Sequence, residues 1–470
     1  MRLRGAFGSK RAIDPKGHRI LGLSLESGEA ILAPKGHSTL LSANGGGKTT
    51  RGAMPWLCSL AASEPEKAIL VLDSKNGEIA IQAAGMLAAW GRKVVVIDDM
   101  GVWPVLAPYR TTLNPFGAII AAALRDPRDV IFPMETVTHT LIEEPKDDQK
   151  NRYWRGWPQK LIAFGTRALL KRDPHAATPG AVATLLGDQD MLKSFVEIEA
   201  EEDHGALGMM ARTILAMTQH EHWPQHVEEA ERSLMLFGPG TRLHDAGESA
   251  TTTHEDLIRE GAIVFLVGPQ AYMTRLGAYY ALHILAFCDA LYQGAGILRI
   301  LADEATNSPL KLLVDNLTTV RAFGGEVHLI AQSRSEIIRK FGEQETRTIE
   351  ENAIVKQWFG FSSFEEAERV SKAMGDEHAV ASGLSGDSDG LKSQANLSLI
   401  KQRRMTPAEL MAMPPEQQLL HIKGVGFILA GTLSQAQVEP ACYELAENPL
   451  EGGRLPPDPK IKLAVSRRRA

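Results

Sequence analysis

Cysteine is scarce in this chain. Cys58, Cys288 and Cys442 are the three in 470 residues, and none stands in a CxxC pair. An odd number of isolated cysteines excludes a disulfide framework and a cysteine-based zinc site. It fits a reducing compartment, so a cytoplasmic location is expected. Long apolar runs are missing too. The best candidates, Ala118–Leu124 and Ala262–Val267, fall far short of the roughly 18–20 apolar residues that span a bilayer. The opening Met1-Arg2-Leu3-Arg4-Gly5-Ala6-Phe7 lacks the apolar stretch of a signal peptide. No transmembrane segment is expected. Nor is there a large excess of one charge: 51 Lys/Arg stand against 57 Asp/Glu, a net of −6. The molecule as a whole is no nucleic-acid glove, and any DNA contact must be local. No GxSxG elbow and no internal repeat is found. Asp387 and Asp389 lack the rest of a calcium loop. His220, Glu221, His222 and His226 resemble a metal cluster, but Pro224 interrupts the helical face that such ligation needs.

What the chain does have is a glycine-rich stretch, Ser42-Ala43-Asn44-Gly45-Gly46-Gly47-Lys48-Thr49-Thr50, after the apolar pair Leu40-Leu41. Ala53, Met54 and Leu57 then recur at helical spacing. Strand, glycine loop, helix is the setting of a phosphate-binding loop. Three glycines let backbone N–H groups turn inward without Cβ clashes. The helix N-terminus adds positive potential for phosphates. Residues 42–50 are therefore the expected nucleotide site, with Lys48 on the β- and γ-phosphates and the Thr49 hydroxyl on Mg²⁺. Ser42 stands where the strict pattern has Gly.

Short, largely apolar runs read as buried parallel strands. They are Ala68–Leu72, Lys93–Ile97, Ala262–Val267, Ile297–Ala302 and Glu326–Ala331. Helical patterns lie between several of them, which predicts an α/β fold with a mostly parallel sheet. Residues 117–255 carry only helical stretches and read as an inserted all-α domain. They hold 14 Lys/Arg against 22 Asp/Glu, roughly −8, leaving roughly +2 elsewhere. The predicted organisation is thus a nucleotide-binding domain in two parts, 1–116 and 256–449, interrupted by the insert at 117–255. A mobile tail is expected over 450–470, and a flexible loop over 381–394.

Hydrolysis needs more than a phosphate cradle. Asp303-Glu304 closes one of the apolar strands. Asp303 is expected to position Mg²⁺, and Glu304 to polarise the attacking water. Gln332 closes the next strand and can sense the γ-phosphate. A cation from a neighbouring subunit would complete the site. Of Arg334, Arg339 and Arg347, Arg347 is the candidate. Arg299, inside the Asp303 strand, must point to an edge or pair with an acid. Trp154 and Trp157, beside Arg152 and Arg155, could stack on bases, but anchoring into a core is the expectation.

Taken together, the chain resembles the coupling ATPases of type IV secretion and conjugation, the TraG/TraD-like family with a RecA-like P-loop motor. The resemblance runs through Ala6–Ala12, Ser42–Thr49, Leu72–Glu78, Leu113–Phe116, Phe265–Pro269, Leu301–Glu304, Ile330–Ser333 and Arg404–Leu410. The family's segment after the second strand is Asp-Pro-Lys-Gly-Glu. This chain has Ser74 for Pro and one residue extra. After Asp303-Glu304 it reads Ala305-Thr306-Asn307-Ser308-Pro309, where the family has Phe-Ala-x-Leu-Gly. The resemblance implies an ATPase using ATP and Mg²⁺, and movement of single-stranded DNA without sequence preference. It implies relaxase or other secreted cargo, contact with type IV channel components, and a homo-hexamer assembled with ligand or partner. Relatives carry N-terminal membrane helices; here, attachment at the inner membrane is expected through partners. In the family the helical domain docks cargo, and the acidic run Glu197–Asp203 is the expected docking surface for basic segments. A FtsK/HerA-type cytosolic translocase is the alternative, though that type lacks the insert. A nucleotide-gated docking adaptor is another, but it has no use for Glu304.

Overall fold

The structure is a computed structural model that describes residues 14–143, 150–386, 393–450 and 452–465, and side chains outside 378–401. The strands, in chain order, are β1 (Ile20–Ser24), β2 (Ala30–Leu32), β3 (Ser38–Leu41), β4 (Ala68–Asp73), β5 (Val94–Ile97), β6 (Ile263–Val267), β7 (Leu298–Asp303), β8 (Gly325–Ala331), β9 (Val355–Trp358), β10 (Asp376–Gly386), β11 (Ser393–Arg403), β12 (Gln417–Ile422), β13 (Gly426–Gly431), β14 (Val438–Glu439) and β15 (Ile461–Lys462). The chain divides into two compact units. One comprises Met1–Leu60, His328–Cys442 and Pro457–Ala464; the other comprises Ala61–Val327, Tyr443–Pro456 and Val465–Ala470.

In the first unit the strand order is β2-β1-β13-β12-β9-β3-β8. β3 runs parallel to both β8 and β9, and the antiparallel hairpin β12–β13 continues the sheet from β9 to β1. Leu21, Ala33, Val355, Leu420, Ile422 and Ala430 form an apolar cluster beneath it. Polar residues inside are answered locally. Gln357 donates to the Gln418 side chain at 3.0 Å, and Gln418 donates to the carbonyls of Leu21 at 2.8 Å and Gly431 at 3.0 Å. Each amide thereby offsets the cost of its own burial.

In the second unit four parallel strands run in the order β7-β4-β6-β5. β4, β6 and β7 are buried along their whole length, as their largely apolar runs lead one to expect. Arg299 lies inside β7, only 3% exposed. Its guanidinium meets Glu64 at 3.0 Å and Glu326 at 2.6 Å. The sequence left edge or ion pair open, and the structure selects the pair. Between β5 and β6 the described residues contain helices and no strand. The helices include Gly117–Arg125, Ile131–Leu141, Arg152–Arg172, Pro179–Gly187, Gln189–Glu202, Ala206–Met217, Trp223–Ser233 and His254–Arg259. No helix among the described residues is long and apolar enough to cross a membrane.

Three expectations are corrected. First, residues 381–386 and 393–394, read as flexible loop, lie in the hairpin β10–β11, paired from Asp376↔Arg403 to Gly386↔Ser393. Residues 387–392, with Asp387 and Asp389, lie outside the described residues. Glycine and serine lowered the apparent strand propensity there, but ladder hydrogen bonds need only backbone. Second, residues 461–463 of the tail read as mobile over 450–470 are strapped down within their unit, while 466–470 lie outside the described residues. β15 pairs parallel to β14, and the Leu463 N–H donates to the Glu439 carbonyl at 2.7 Å. Ile461 and Leu463 are buried. Third, the acidic run of the insert is partly neutralised. Glu199 is 2% exposed and is met by Lys171 at 2.6 Å and Arg172 at 3.0 Å. Asp203 meets Lys171 at 3.2 Å and accepts from the amides of Gly205 and Gly208. Only Glu197, Glu201 and Glu202 remain as exposed acids of that run.

Three substitutions test this account. Arg299→Met takes from buried Glu64 one of its two cationic partners, leaving Lys67, and should cost up to about 3–5 kcal/mol of the unfolding free energy in a denaturant titration. Glu199→Lys should lower the melting temperature clearly. Glu201→Lys, on the exposed face, should stay within about 0.5 kcal/mol of the parent.

Candidate functional site

In the first unit, β3 delivers the chain into residues 42–50. The Ser42 N–H donates to the Ala331 carbonyl at 3.1 Å, and the Gly46 N–H to the Ala43 carbonyl at 3.1 Å. Gly45 and Gly47 take left-handed φ of 75° and 81°, which a Cβ disfavours. At Gly46 a Cβ would fall 2.1 Å from the Ser42 hydroxyl oxygen. A larger residue there would make the Ser42 hydroxyl move and crowd the Ala43 carbonyl at 3.1 Å. Lys48–Ala53 form one π-helical turn, and the α-helix Met54–Ser63 follows. Such turns recur at functional sites. Lys48 and Thr49 are each 4% exposed. Lys48 Nζ reaches back over the loop to the Ser42 carbonyl at 3.2 Å and the Asn44 side-chain oxygen at 3.5 Å. Ala43, Asn44 and Gly45 form the exposed lip, and Thr50 is half-buried. The register Leu41↔Ala331 puts Gln332 level with Ser42. The loop, Lys48, Thr49 and Gln332 are thus brought to one sheet end within this unit.

The three candidate arginines separate. Arg334 is held by Glu343 at 2.9 Å and Glu350 at 3.0 Å. Arg339 is exposed. Arg347 is 61% exposed with Glu343 at 3.6 Å, a loose surface pair. Arg339 and Arg347 are thus the accessible ones of the three.

In the second unit, Asp303 and Glu304 close β7 and both are buried. Glu304 has φ of 52°, a left-handed conformation that a non-glycine residue adopts at a cost. The register Asp73↔Asp303 sets the end of β4 beside it. Asp73 accepts at 2.8 Å from both the Ile79 and Ala80 amides, capping the helix Glu78–Ala89. Burial, with the charges of Asp303 and Glu78 nearby, pushes the Asp73 carboxyl well above the usual carboxylate range. The Ser74 hydroxyl donates to the Asp303 carbonyl at 3.1 Å. Lys75 Nζ stands 3.7 Å from the Glu304 carboxylate and 3.9 Å from Glu78. Lys75 is the residue that reasoning from the sequence missed. Its signal was the charged segment directly after an apolar strand, quoted above only as a resemblance.

Asp98 and Asp99, after β5, also end a strand where ligands bind in such sheets, but they are occupied. Asp98 accepts from the Val102 amide at 2.9 Å and pairs with Arg110 at 2.8 Å; Asp99 accepts from the Tyr279 hydroxyl at 2.7 Å. In the insert, His226 packs edge or tilted against Tyr153, Trp154 and Trp157, with ring centroids 5.3–6.0 Å apart. That aromatic cluster accounts for the histidine pattern near Pro224. Trp154 keeps 41% of its surface exposed, so it is no plain core anchor. Among the described residues, the group spaced to hold a metal lies elsewhere, at His244, Asp245 and Glu248. His244 is already engaged by Thr184 and Asp245.

Comparison with known proteins follows the same lines. Residues 298–415 match the family described as the TraM recognition site of TraD and TraG. Solved structures of a conjugative coupling protein are similar over nearly the whole chain. The unbound bacterial conjugative coupling protein TrwBdeltaN70 superposes with a TM-score of 0.61 at 14% identity, covering 91% of this chain and 89% of that one. TrwB in complex with ADP and Mg²⁺ gives 0.58 at 14% identity, covering 85% of each chain. TrwB with a non-hydrolysable ATP analogue gives 0.57 at 15% identity, covering 92% and 97%. No curated protein matches by sequence. The likeness shows the fold, α/β and RecA-like with a mostly parallel sheet. In the segment 298–415 and in its fold, the chain is similar to TraG/TraD-like coupling proteins.

Proposed function

We propose that this protein is an ATP-hydrolysing coupling protein that drives DNA, or a protein–DNA substrate, into a type IV secretion channel. The observation that carries the ATPase reading is the loop at 42–50. Gly45 and Gly47 hold left-handed φ, Gly46 packs against the Ser42 hydroxyl, and Lys48 and Thr49 are buried at the start of the following helix. That cradle fits the phosphates of ATP. Thr49 and Asp303 would hold Mg²⁺, which supplies charge neutralisation on the phosphate oxygens. Lys48 binds the β- and γ-phosphates. Glu304 accepts a proton from the attacking water as the bond from Pγ to the leaving oxygen breaks. Gln332, level with the loop, reads whether a γ-phosphate is present. Arg347 from a neighbouring copy stabilises the charge of the transition state. The family match and the likeness to TrwB support the coupling role. Cargo is a relaxase or another secreted protein, and the working form is a ligand- or partner-dependent homo-hexamer. It meets the inner membrane through channel components. Cargo steering by the insert falls to Glu197, Glu201 and Glu202, because Glu199 and Asp203 are already paired.

The experiment is ATP turnover of the purified protein with and without single- and double-stranded DNA, with solution mass measured alongside. Lys48→Ala should weaken ATP binding about 30-fold or more, as expected when a buried charge pair loses one partner, at ~2 kcal/mol or above. Glu304→Gln should retain ATP binding and lose turnover by about 100-fold or more. Normal turnover in Glu304→Gln would remove that residue from the role. Turnover per molecule should rise with protein concentration as copies assemble. Arg347→Ala should lower it by up to about 10³-fold without changing ATP affinity. A rate independent of concentration in a protein that sediments as a monomer would contradict the assembly.

A further inference from the structure

Glu304 is an awkward residue to place. It is buried, its backbone is left-handed at φ 52°, and it opens a turn closed by the Asn307 N–H on its own carbonyl at 2.8 Å. A buried charge in a disfavoured backbone conformation persists only where neighbours over-determine it. The neighbours that do so come from three consecutive residues after β4. The Ser74 hydroxyl grips the Asp303 carbonyl at 3.1 Å, fixing the peptide that leads into Glu304. Lys75 brings its ammonium to 3.7 Å from the Glu304 carboxylate. Asp73 and Ser308 line one small pocket, together with Ser74, Met273, Tyr280 and Pro309. In that pocket one Asp73 oxygen and the Ser308 hydroxyl are both buried without a protein hydrogen-bond partner. The space suits about one water molecule, which would tie the far side of the turn to β4.

Lys75 is itself held. Asn76 and Gly77 take φ of 54° and 74°, turning the chain sharply. A Cβ on Gly77 would approach Val267 Cγ1 to 2.9 Å, so the turn is closely packed. Glu78 keeps Lys75 company at 3.9 Å, and is fixed in turn by the Asn448 side chain at 2.8 Å. Lys75 remains one quarter exposed. It is buried enough for its charge to act on Glu304 through a medium of lower dielectric than water.

We infer that Asp73-Ser74-Lys75 is the positioning segment for Glu304, with Lys75 as the cation that orients its carboxylate. Lys75 acts through Glu304 and not on the nucleotide. The inference rests on the ATPase reading for its catalytic consequence, and on the geometry alone for the pairing. The hydroxyl of Ser74 makes a bond that proline at that position cannot make.

The test has two arms on the full-length chain. In the first, Lys75→Met should lower the maximal ATP turnover by about 10- to 100-fold, the size expected for a misplaced reacting group, and leave KM and ATP affinity unchanged. Lys75→Arg should recover most of the turnover. Ser74→Pro, the family's residue, should lower turnover in the same sense. Weakened ATP binding in Lys75→Met with turnover unchanged would put Lys75 on the phosphates and overturn the inference. So would unaltered kinetics. The second arm needs no activity. Lys75→Met should lower the melting temperature by about 2 °C or more in the parent, and by much less in a Glu304→Gln background. Equal shifts in the two backgrounds would show that the residues are not coupled. A parent protein without turnover would defeat the ATPase reading while this arm still decided the pairing.

Discussion

A carboxylate taken out of water must be met by donors or a cation, or it destabilises whatever fold contains it. The second unit depends on how it satisfies that constraint. Parallel strands bring their carboxyl ends to one edge, and three of the four here end in acids. Each is met differently. Asp73 takes two amides of a helix start. Asp98 takes amides and Arg110. Asp99 takes a tyrosine hydroxyl. Asp303 and Glu304 are the pair proposed above to serve hydrolysis. Ser74 holds the backbone of the first, and Lys75 faces the carboxylate of the second. The same rule governs the interior of β7, where Arg299 is buried because Glu64 and Glu326 meet it.

The first unit solves the opposite problem, that of gathering positive potential. Its loop carries no acid between Ser42 and Thr50. Glycines expose backbone N–H groups, the helix start adds partial charge, and Lys48 adds a full one. Gln332 reaches the same sheet end because β3 and β8 are parallel and in register. Parallel pairing is what makes such convergence possible. It brings the ends of strands far apart in sequence to one level, so residues some 290 positions distant can serve one ligand, as the Ser38–His328 hydrogen bond between the same two strands illustrates.

The helical insert shows how a charge count can mislead. Its acidic excess is real in composition, yet Glu199 and Asp203 are consumed by Lys171 and Arg172 across a helix pair. Within the run 197–203, Glu197, Glu201 and Glu202 are what remains exposed. The histidines beside Pro224 tell a similar story. Their ring contacts with Tyr153, Trp154 and Trp157 explain the pattern without a ligand.

Features that depend on neighbouring residues were legible in the amino-acid order itself. The phosphate loop was, because the need for glycine at positive φ and for a helix start is local. The buried strands β4 to β8 were, because strands covered on both faces must be apolar throughout. The absence of strands between β5 and β6 was visible for the same reason. Features that depend on partners distant along the chain were decided only by the tertiary structure. The hairpin β10–β11 rests on backbone pairing that its glycines and serines do not advertise. β15 rests on β14, more than 20 residues earlier, as the Lys462–Glu439 hydrogen bond marks with its separation of 23. Arg299 and Glu64 are 235 residues apart, and Ser74 and the Asp303 carbonyl 229. Composition sets which charges exist. Only the folded chain sets which of them face one another, because a charge's energy depends on the distance to its partner and on the water excluded between them.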